Sequence, residues 1–218
     1  MSGPDELAGT AFRERLREQA EAGGIALDHT QLGHLERYFR LLCRWNRTIN
    51  LTALPLAGFP DRTLNRLFIE PMQAAQLVED ASLLWFDLGS GGGSPAIPLK
   101  IVRPRLRLTM VESKARKAAF LTEVVRSLSL TATDILAIRI EELSRMTPAS
   151  YVDLITVRAI RVEEDLLRTA AGLLRPGGRL LLFGSKVPHM LNRVDFLLLQ
   201  QLRLAGSGSI LQVLSRVA

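Results

Sequence analysis

The 218-residue chain reads as an α/β protein, a mostly parallel sheet covered by helices on both faces and preceded by a helical N-terminal prefix. Three observations predict it. From residue 83 onward, short apolar runs alternate with amphipathic stretches, the pattern of strands joined by crossover helices. The first run ends in Phe86-Asp87-Leu88-Gly89-Ser90-Gly91-Gly92-Gly93, a strand that stops at an acid and a cluster of glycines. A second apolar run, Leu106 to Val111, is closed by Glu112, about twenty residues after the glycine turn begins.

Taken in order, Pro4 is placed to open a first helix and Gly23-Gly24 to end it. Asp28 is placed to cap a second helix running through Leu32, Leu35, Phe39 and Leu42. Residues 1–60 are thus expected to form a helical extension packed on the main body, residues 61–218. Leu54-Pro55 and Phe59-Pro60 mark an irregular connection, after which Asp61 can cap a helix that bends or ends near Pro71. Strands are predicted at 83–87, 106–111, 134–138, 152–157, 179–183 and 210–214, and helices at 95–102, 113–129, 162–174 and 188–201. Pro176-Gly177-Gly178 marks a turn into the fifth strand.

A composition of 47% hydrophobic and 23% charged residues suits one well-buried core and excludes disorder. The single cysteine, Cys43, leaves no internal disulfide, and with three histidines it matches no zinc spacing, so no metal is expected. The N-terminal Met-Ser-Gly-Pro-Asp-Glu carries acids where a signal peptide needs a basic run, and no segment reaches a membrane-spanning length. The expectation is a cytoplasmic monomer without membrane contact. Net charge is +6, unevenly placed: residues 1–80 hold nine basic and eleven acidic groups, residues 81–218 nineteen and eleven. The densest part, with Lys100, Arg103, Arg105, Arg107, Lys114, Arg116 and Lys117 against Glu112 alone, suits a phosphate backbone.

Glycines let the backbone turn at positive φ and approach a ligand closely, at the carboxyl end of a strand where a Rossmann-like sheet binds nucleotides. Asp87, Gly89, Gly91 and Gly93 with Glu112, placed for ribose hydroxyls, therefore point at an adenosine. The stretch Gly91 to Ala96 also fits the looser dinucleotide pattern G-x-G-x-x-A, which leaves a nicotinamide or flavin cofactor open, as does a tight turn with no ligand. A carboxylate at Asp87 repels a diphosphate and favours the sulfonium and ammonium of S-adenosylmethionine.

Several motifs in order resemble one family. They are Trp45-Asn46 with Ile49-Asn50-Leu51-Thr52-Ala53, Asp87-Leu-Gly-Ser-Gly with Pro95 and Ile97-Pro98-Leu99, and Lys117 with Phe120-Leu121. Arg139-Ile140-Glu141-Glu142, Thr156-Val157-Arg158-Ala159 and Leu174 to Gly178 continue the match. The chain resembles the bacterial 16S ribosomal RNA guanine-N7 methyltransferases, the RsmG or GidB type, and the Asn-Leu-Thr element is the most specific part. The resemblance implies a class I S-adenosylmethionine-dependent methyltransferase sheet acting on small-subunit RNA or the small ribosomal subunit. It also implies cofactor contacts at Gly89, Ser94, Ile140, Glu141 and Arg158. Two stretches depart from the family pattern: Gly91-Gly-Gly-Ser-Pro-Ala96 stands where Gly-Ala-Gly-Phe-Pro-Gly is usual, and Ile69-Glu70-Pro71-Met72 where Asp-Ser-Leu is usual.

Guanine N7 carries an unprotonated lone pair, so methylating it requires no general base. The sequence fits: Cys43 follows Leu42 and so lacks a Pro-Cys nucleophile, and Val157-Arg158-Ala159 follows the fourth strand where amino-group methylating enzymes carry Asn-Pro-Pro-Tyr. No catalytic residue is expected beyond a positioning role for Arg158, with a buried ion pair to Asp87, Glu112 or Glu141 as its alternative. RNA contacts are expected from Arg103, Arg105, Lys114, Arg116 and Lys186, and a second arginine stripe runs along Arg37, Arg40, Arg44 and Arg47. Three other functions stay open: methylation of another acceptor, a nicotinamide-dependent oxidoreductase, and an RNA-binding assembly protein whose cofactor site has decayed at Ser94 and Ala96.

Overall fold

The computed structural model describes residues 4–184, 194–204, 206 and 208–217. Helix α1 (Pro4–Ala22) ends where Gly23 and Gly24 turn the chain, and α2 (His29–Asn46) starts at a capping box. Asp28 Oδ1 accepts from Gln31 N–H at 2.7 Å, and Gln31 Oε1 accepts from Asp28 N–H at 3.0 Å. The predicted stripe Leu32, Leu35, Phe39 and Leu42 is buried. Phe12 of α1 stacks on Phe39 with ring centres 4.6 Å apart, and Phe68 meets Phe12, Tyr38 and Phe39 edge-on.

Residues 61–75 form one helical run in three parts: α3 (Asp61–Leu64), a π-helical turn (Asn65–Ile69) and α4 (Glu70–Ala75). Pro60, not Asp61, takes the cap position, and Asp61 pairs instead with Arg15 of α1 at 2.8 Å. Pro71 does not end the run, because it sits in the first turn of α4, where a missing N–H is tolerated. The wider turn sends Glu70 N–H to Asn65, five residues back, and Pro71 has no N–H to offer Leu67. The carbonyls of Arg66 and Leu67 are thereby left for side chains of the site described below.

Seven strands make one sheet in the order β3-β2-β1-β4-β5-β7-β6. Strands β1 (Leu84–Leu88), β2 (Arg107–Val111), β3 (Thr133–Leu136), β4 (Val152–Arg158) and β5 (Leu174–Phe183) are parallel. Helices α5 (Ala96–Val102), α6 (Ala115–Ser127), α7 (Leu143–Met146) and α8 (Glu164–Leu173) connect them. Strand β5 begins five residues before the predicted 179, and Pro176-Gly177-Gly178 bulges between two of its pairings with β4. The helix expected over 188–201 is not formed where the chain is described. Phe196–Arg203 is instead the edge strand β6, antiparallel to β7 (Ile210–Arg216), which is antiparallel to β5. The run Phe196 to Leu199 has no helical spacing of apolar residues, and a turn closed by Leu204 N–H to the Ser209 carbonyl supplies the pairing partner.

Alternation along the strands divides the core. Trp85, Leu154, Leu181 and Phe183 face the prefix helices and α4 to α6, while Phe86, Ile155, Leu180 and Leu182 face α8. The first layer runs without a break from Phe12 to Val213. No helix among the described residues is long and apolar enough to cross a membrane, and they contain no cluster of three metal-ligating side chains. Because Phe68 is fully buried among three aromatic neighbours, Phe68→Ala is expected to lower stability by about 3–5 kcal/mol, read from the urea-unfolding midpoint.

Candidate active site

A cavity of about 350 Å³ opens at the carboxyl ends of β1, β2 and β4, where an open parallel sheet places its ligand. Its floor is the turn after β1. The N–H groups of Gly89 and Ser90 both bond the Val111 carbonyl, and Gly93 N–H bonds that of Ser90 at 2.7 Å. Two glycines are required sterically: Gly89 (φ +72°) has Ile160 Cδ1 2.6 Å from where a Cβ would stand, and Gly93 (φ +87°) has Ile97 Cγ1 at 2.9 Å. Glu112 closes one side. Its Oε2 accepts from Gly91 N–H and its Oε1 from Lys114 N–H, each at 2.8 Å, which fixes the carboxylate against the turn.

The opposite wall comes from the prefix. Asn46 Oδ1 accepts from the N–H groups of Leu51 and Thr52 at 2.9 and 3.0 Å, and its Nδ2 donates to the Thr52 carbonyl. Residues Leu51 to Leu54 so become a strap along the cavity, with the Leu51 carbonyl 3.0 Å from where a Gly92 Cβ would lie. Tyr38 OH donates to the Gly92 carbonyl at 2.6 Å, and burial raises this phenol well above its ordinary pKa. Asn46 and Tyr38 thus let α2 hold both the strap, which carries Leu51 and Thr52 of the Asn-Leu-Thr element into the cavity lining, and the glycine turn.

At the third side lies a buried charged cluster. Arg158, 8% exposed, pairs through Nη2 with Glu70 Oε2, and its Nη1 donates to the Arg66 carbonyl at 2.5 Å and to Ser94 Oγ at 3.0 Å. Ser94 Oγ donates in turn to the Leu67 carbonyl at 2.9 Å. These are the two carbonyls released by the π-helical turn and Pro71. The Phe183 ring lies 4.5 Å from the guanidinium, and Arg66 also bonds Glu70 Oε2 at 3.1 Å. Burial lowers the Arg158 pKa to about 10 against the opposing pull of Glu70.

Of the residues expected at the cofactor, Gly89, Gly91, Ser94, Glu112 and Arg158 line this cavity. Asp87 does not. Its side chain projects to the prefix-facing side of β1, 1% exposed, where Trp85 Nε1 donates to Thr156 Oγ1 (2.9 Å), which donates to Asp87 Oδ1 (2.5 Å). Asp87 Oδ2 is buried without a hydrogen-bond partner, and burial pushes the carboxyl up to about 6. Gly93 lies beneath the floor, against Tyr38, Ile97 and Leu121. Ile140 and Glu141 open a 3-10 turn after β3, outside the lining residues. The ion pair of Arg158 is with Glu70, none of the three acids expected.

The basic patch is divided. Lys114 and Arg116 are exposed beside the cavity, with Lys117 in its lining, whereas Arg103 and Arg105 stand at the far end of the sheet, before β2. Arg103 is tied there to the Val78 and Val102 carbonyls, and Lys100, 2% exposed, donates to those of Pro104 and Leu106. Lys186 lies outside the described residues. Sequence reasoning gave no site role to Glu70, Arg66 or the strap; the acid within the departing stretch 69–72 was the one signal for the first.

Fold and site together define the class: a parallel sheet with one reversed strand, β7, inserted between β5 and the edge strand β6, with a glycine turn after β1 and an acid after β2, is that of the class I S-adenosylmethionine-dependent methyltransferases. Solved structures agree in fold. An S-adenosylmethionine-dependent methyltransferase from Aquifex aeolicus superposes with TM-score 0.57 at 14% identity, over 70% of this chain and 92% of that one. TrmN from Thermus thermophilus gives 0.55 at 23%, over 77% and 55%. The [4+2]-cyclase SpnF gives 0.59 at 14%, over 87% and 97%, so the fold does not by itself fix the reaction.

The chain belongs to the rRNA small subunit methyltransferase G family, whose model matches residues 31–192. Ribosomal RNA small subunit methyltransferase G of Xanthomonas oryzae pv. oryzae is 39% identical over 166 residues, 75% of this chain and 74% of the relative. The Stenotrophomonas maltophilia protein of the same name is 39% identical over 165 residues, 76% and 74%. Membership does not favour the oxidoreductase or decayed-site alternatives.

The buried Asp87 makes a pH prediction. Its pKa is raised from 3.8 to about 6 in the folded chain, so the native state holds a proton that the unfolded state has lost. The stability this confers is present below about pH 4 and disappears as pH rises through 6. Relative to Asp87→Asn, the wild type is therefore expected to lose on the order of 3 kcal/mol across that window. Parallel urea titrations at stepped pH would show a flat difference if the carboxyl were ordinary.

Proposed function

We propose that this chain transfers the methyl group of S-adenosylmethionine to N7 of a guanine in 16S ribosomal RNA. The observation that carries the reading is the pairing of a glycine-rich turn with Glu112 at one end of a 350 Å³ crevice, in a chain of the rRNA small subunit methyltransferase G family. The residues present fit the cofactor. Glu112 uses one lone pair of each oxygen on a backbone N–H and keeps others for ribose hydroxyls. Gly89, Gly91 and Ser94 shape the turn beneath, and Arg158 offers a fixed cation at the same wall. Asp87, whose carboxyl lies under the floor, does not face the crevice and offers no repulsion to a diphosphate. Glu112 stands where an adenosine presents its ribose, and family membership carries the choice of S-adenosylmethionine. Ile140 and Glu141, one strand further out, would meet the base beyond the crevice.

When bound, the cofactor supplies a methyl group on a positively charged sulfur. The bond from N7 forms as the bond to sulfur breaks, and the charge passes to the guanine ring, so no proton has to leave. The lining contains no histidine or cysteine, and its carboxylate is held by backbone N–H groups, as a reaction without a general base allows. Positioning then supplies the rate enhancement, on the order of 7–11 kcal/mol in favourable cases. Lys114, Arg116 and Lys117 are placed to hold RNA phosphates at the mouth; Arg103 and Arg105, at the opposite end of the sheet, are not. The target guanine must be unstacked or in a loop, because the A-form major groove is too narrow for a side chain to enter. Residues 1–60 and 61–218 work as one compact unit in this reading, monomeric, metal-free and cytoplasmic; the core shared from Phe12 to Val213 supports the packing of the prefix on the body.

Incubation with labelled S-adenosylmethionine and 16S RNA from cells lacking the enzyme, followed by mapping of the modified base, tests the function; label on no guanine N7 would reject it. Glu112→Ala is expected to weaken S-adenosylhomocysteine binding by about 10- to 150-fold in calorimetry, the size of hydrogen bonds to a charged group. Unchanged affinity would remove Glu112 from the site.

A further inference from the structure

The strap that walls the crevice has a second cavity on its other side, of about 360 Å³, between α1, α2 and residues 56–59. Leu54 lines the first cavity and Leu56 the second, at most about 7 Å of backbone apart. The floor of the second is aromatic: Phe12 and Phe39 stacked beneath, and Phe59 half-buried and edge-on to Phe12 at 5.7 Å. Its rim carries Arg40, Arg44 and Arg47, three or four residues apart on one side of α2. Glu36 is the single carboxylate in the lining, and it bonds Arg40 at 2.8 Å. Arg44 leans to Glu123 of α6, while Arg47 is exposed and makes no ion pair among the described residues.

Guanidinium groups around a flat apolar floor are what a nucleotide requires, cations for the phosphate and a ring face for the base. We infer that this second cavity receives a nucleotide of the same RNA strand that presents the target guanine, its base against Phe59 and Leu56 and its phosphate on Arg40 and Arg47. The inference rests on the proposed function and adds to it a docking point outside the methyl-transfer crevice. A neighbouring nucleotide held there sets which guanine reaches the cofactor, because the strap fixes the spacing between the two cavities.

Cys43, the only cysteine of the chain, lines this cavity and not the crevice, so it reports on occupancy without any substitution. Its thiol is half-buried and held above the usual value by burial, so the assay is run at alkaline pH. Alkylation of Cys43 by N-ethylmaleimide, followed by mass spectrometry, is expected to slow several-fold with 16S RNA, and to be unaffected by S-adenosylhomocysteine or by inorganic polyphosphate. An RNA that is methylated while Cys43 reacts at its free rate overturns the inference, and so does equal protection by polyphosphate. As a second measurement, Arg47→Glu and Phe59→Ala are each expected to raise KM for RNA about tenfold, the size of one lost stacking or charge contact, with S-adenosylhomocysteine binding unchanged. For Arg47→Glu the slope of log affinity against log salt should become shallower by about 0.7. Unaltered KM and slope, or loss of cofactor binding along with RNA binding, counts against it. A wild-type chain that binds S-adenosylhomocysteine yet methylates no RNA is a different result, and sinks the proposed function beneath it.

Discussion

The charge on Arg158 cannot be shed at any physiological pH, and the chain places it at the end of the central strand β4 with 8% of its surface exposed. Much of the site follows from satisfying it. Glu70 supplies the counter-charge from α4, Ser94 a hydroxyl from the glycine turn, Arg66 a carbonyl from the π-helical turn and Phe183 a ring face from β5. A guanidinium in so little water is tolerable only with its charge paired, and here both terminal nitrogens are engaged while Nε stays buried without a partner. The segment 65–71 meets that demand by an irregular route, since a regular helix would have used the Arg66 and Leu67 carbonyls for itself. Within the departing stretch 69–72, Glu70 provides the counter-charge and Pro71 helps to free an acceptor.

The same strand alternation that buries Arg158 decides the fate of Asp87. Odd-numbered residues of β1 and even-numbered residues of β4 share the prefix-facing side, so Trp85, Asp87, Thr156 and Arg158 are neighbours beneath the crevice. The carboxyl that looked like a guard on the ligand is a support for the floor. Glu112, by contrast, is held in the crevice wall by two backbone amides.

Local signals were legible wherever the chemistry is local. The caps at Asp28 and Gly23-Gly24, the buried stripe of α2, the first four parallel strands to within a residue or two and the glycine turn stand where spacing placed them, because each depends on residues within a few positions of one another. Three features were not legible. Glu70 and Arg158 are 88 residues apart, and nothing in either neighbourhood announces the pairing. Arg103 and Arg105 are near Lys114 in sequence, yet β2 runs between them and carries them to opposite ends of the sheet. The edge strand β6 took the place of a helix because its partner β7 arrives only after a glycine turn, and an apolar run of four does not declare its period.

The crevice is assembled from contacts distant along the chain: Tyr38 to Gly92 spans 54 residues, Trp45 to Glu123 spans 78 and Arg158 to Arg66 spans 92. Such closures cost chain entropy before they return any stabilisation, so they complete late in folding. A nascent polypeptide halted before β4 has emerged holds the glycine turn but not the arginine that braces it. Ligand affinity therefore arises only with the finished molecule, and a bound ligand shifts the population toward that finished state by mass action.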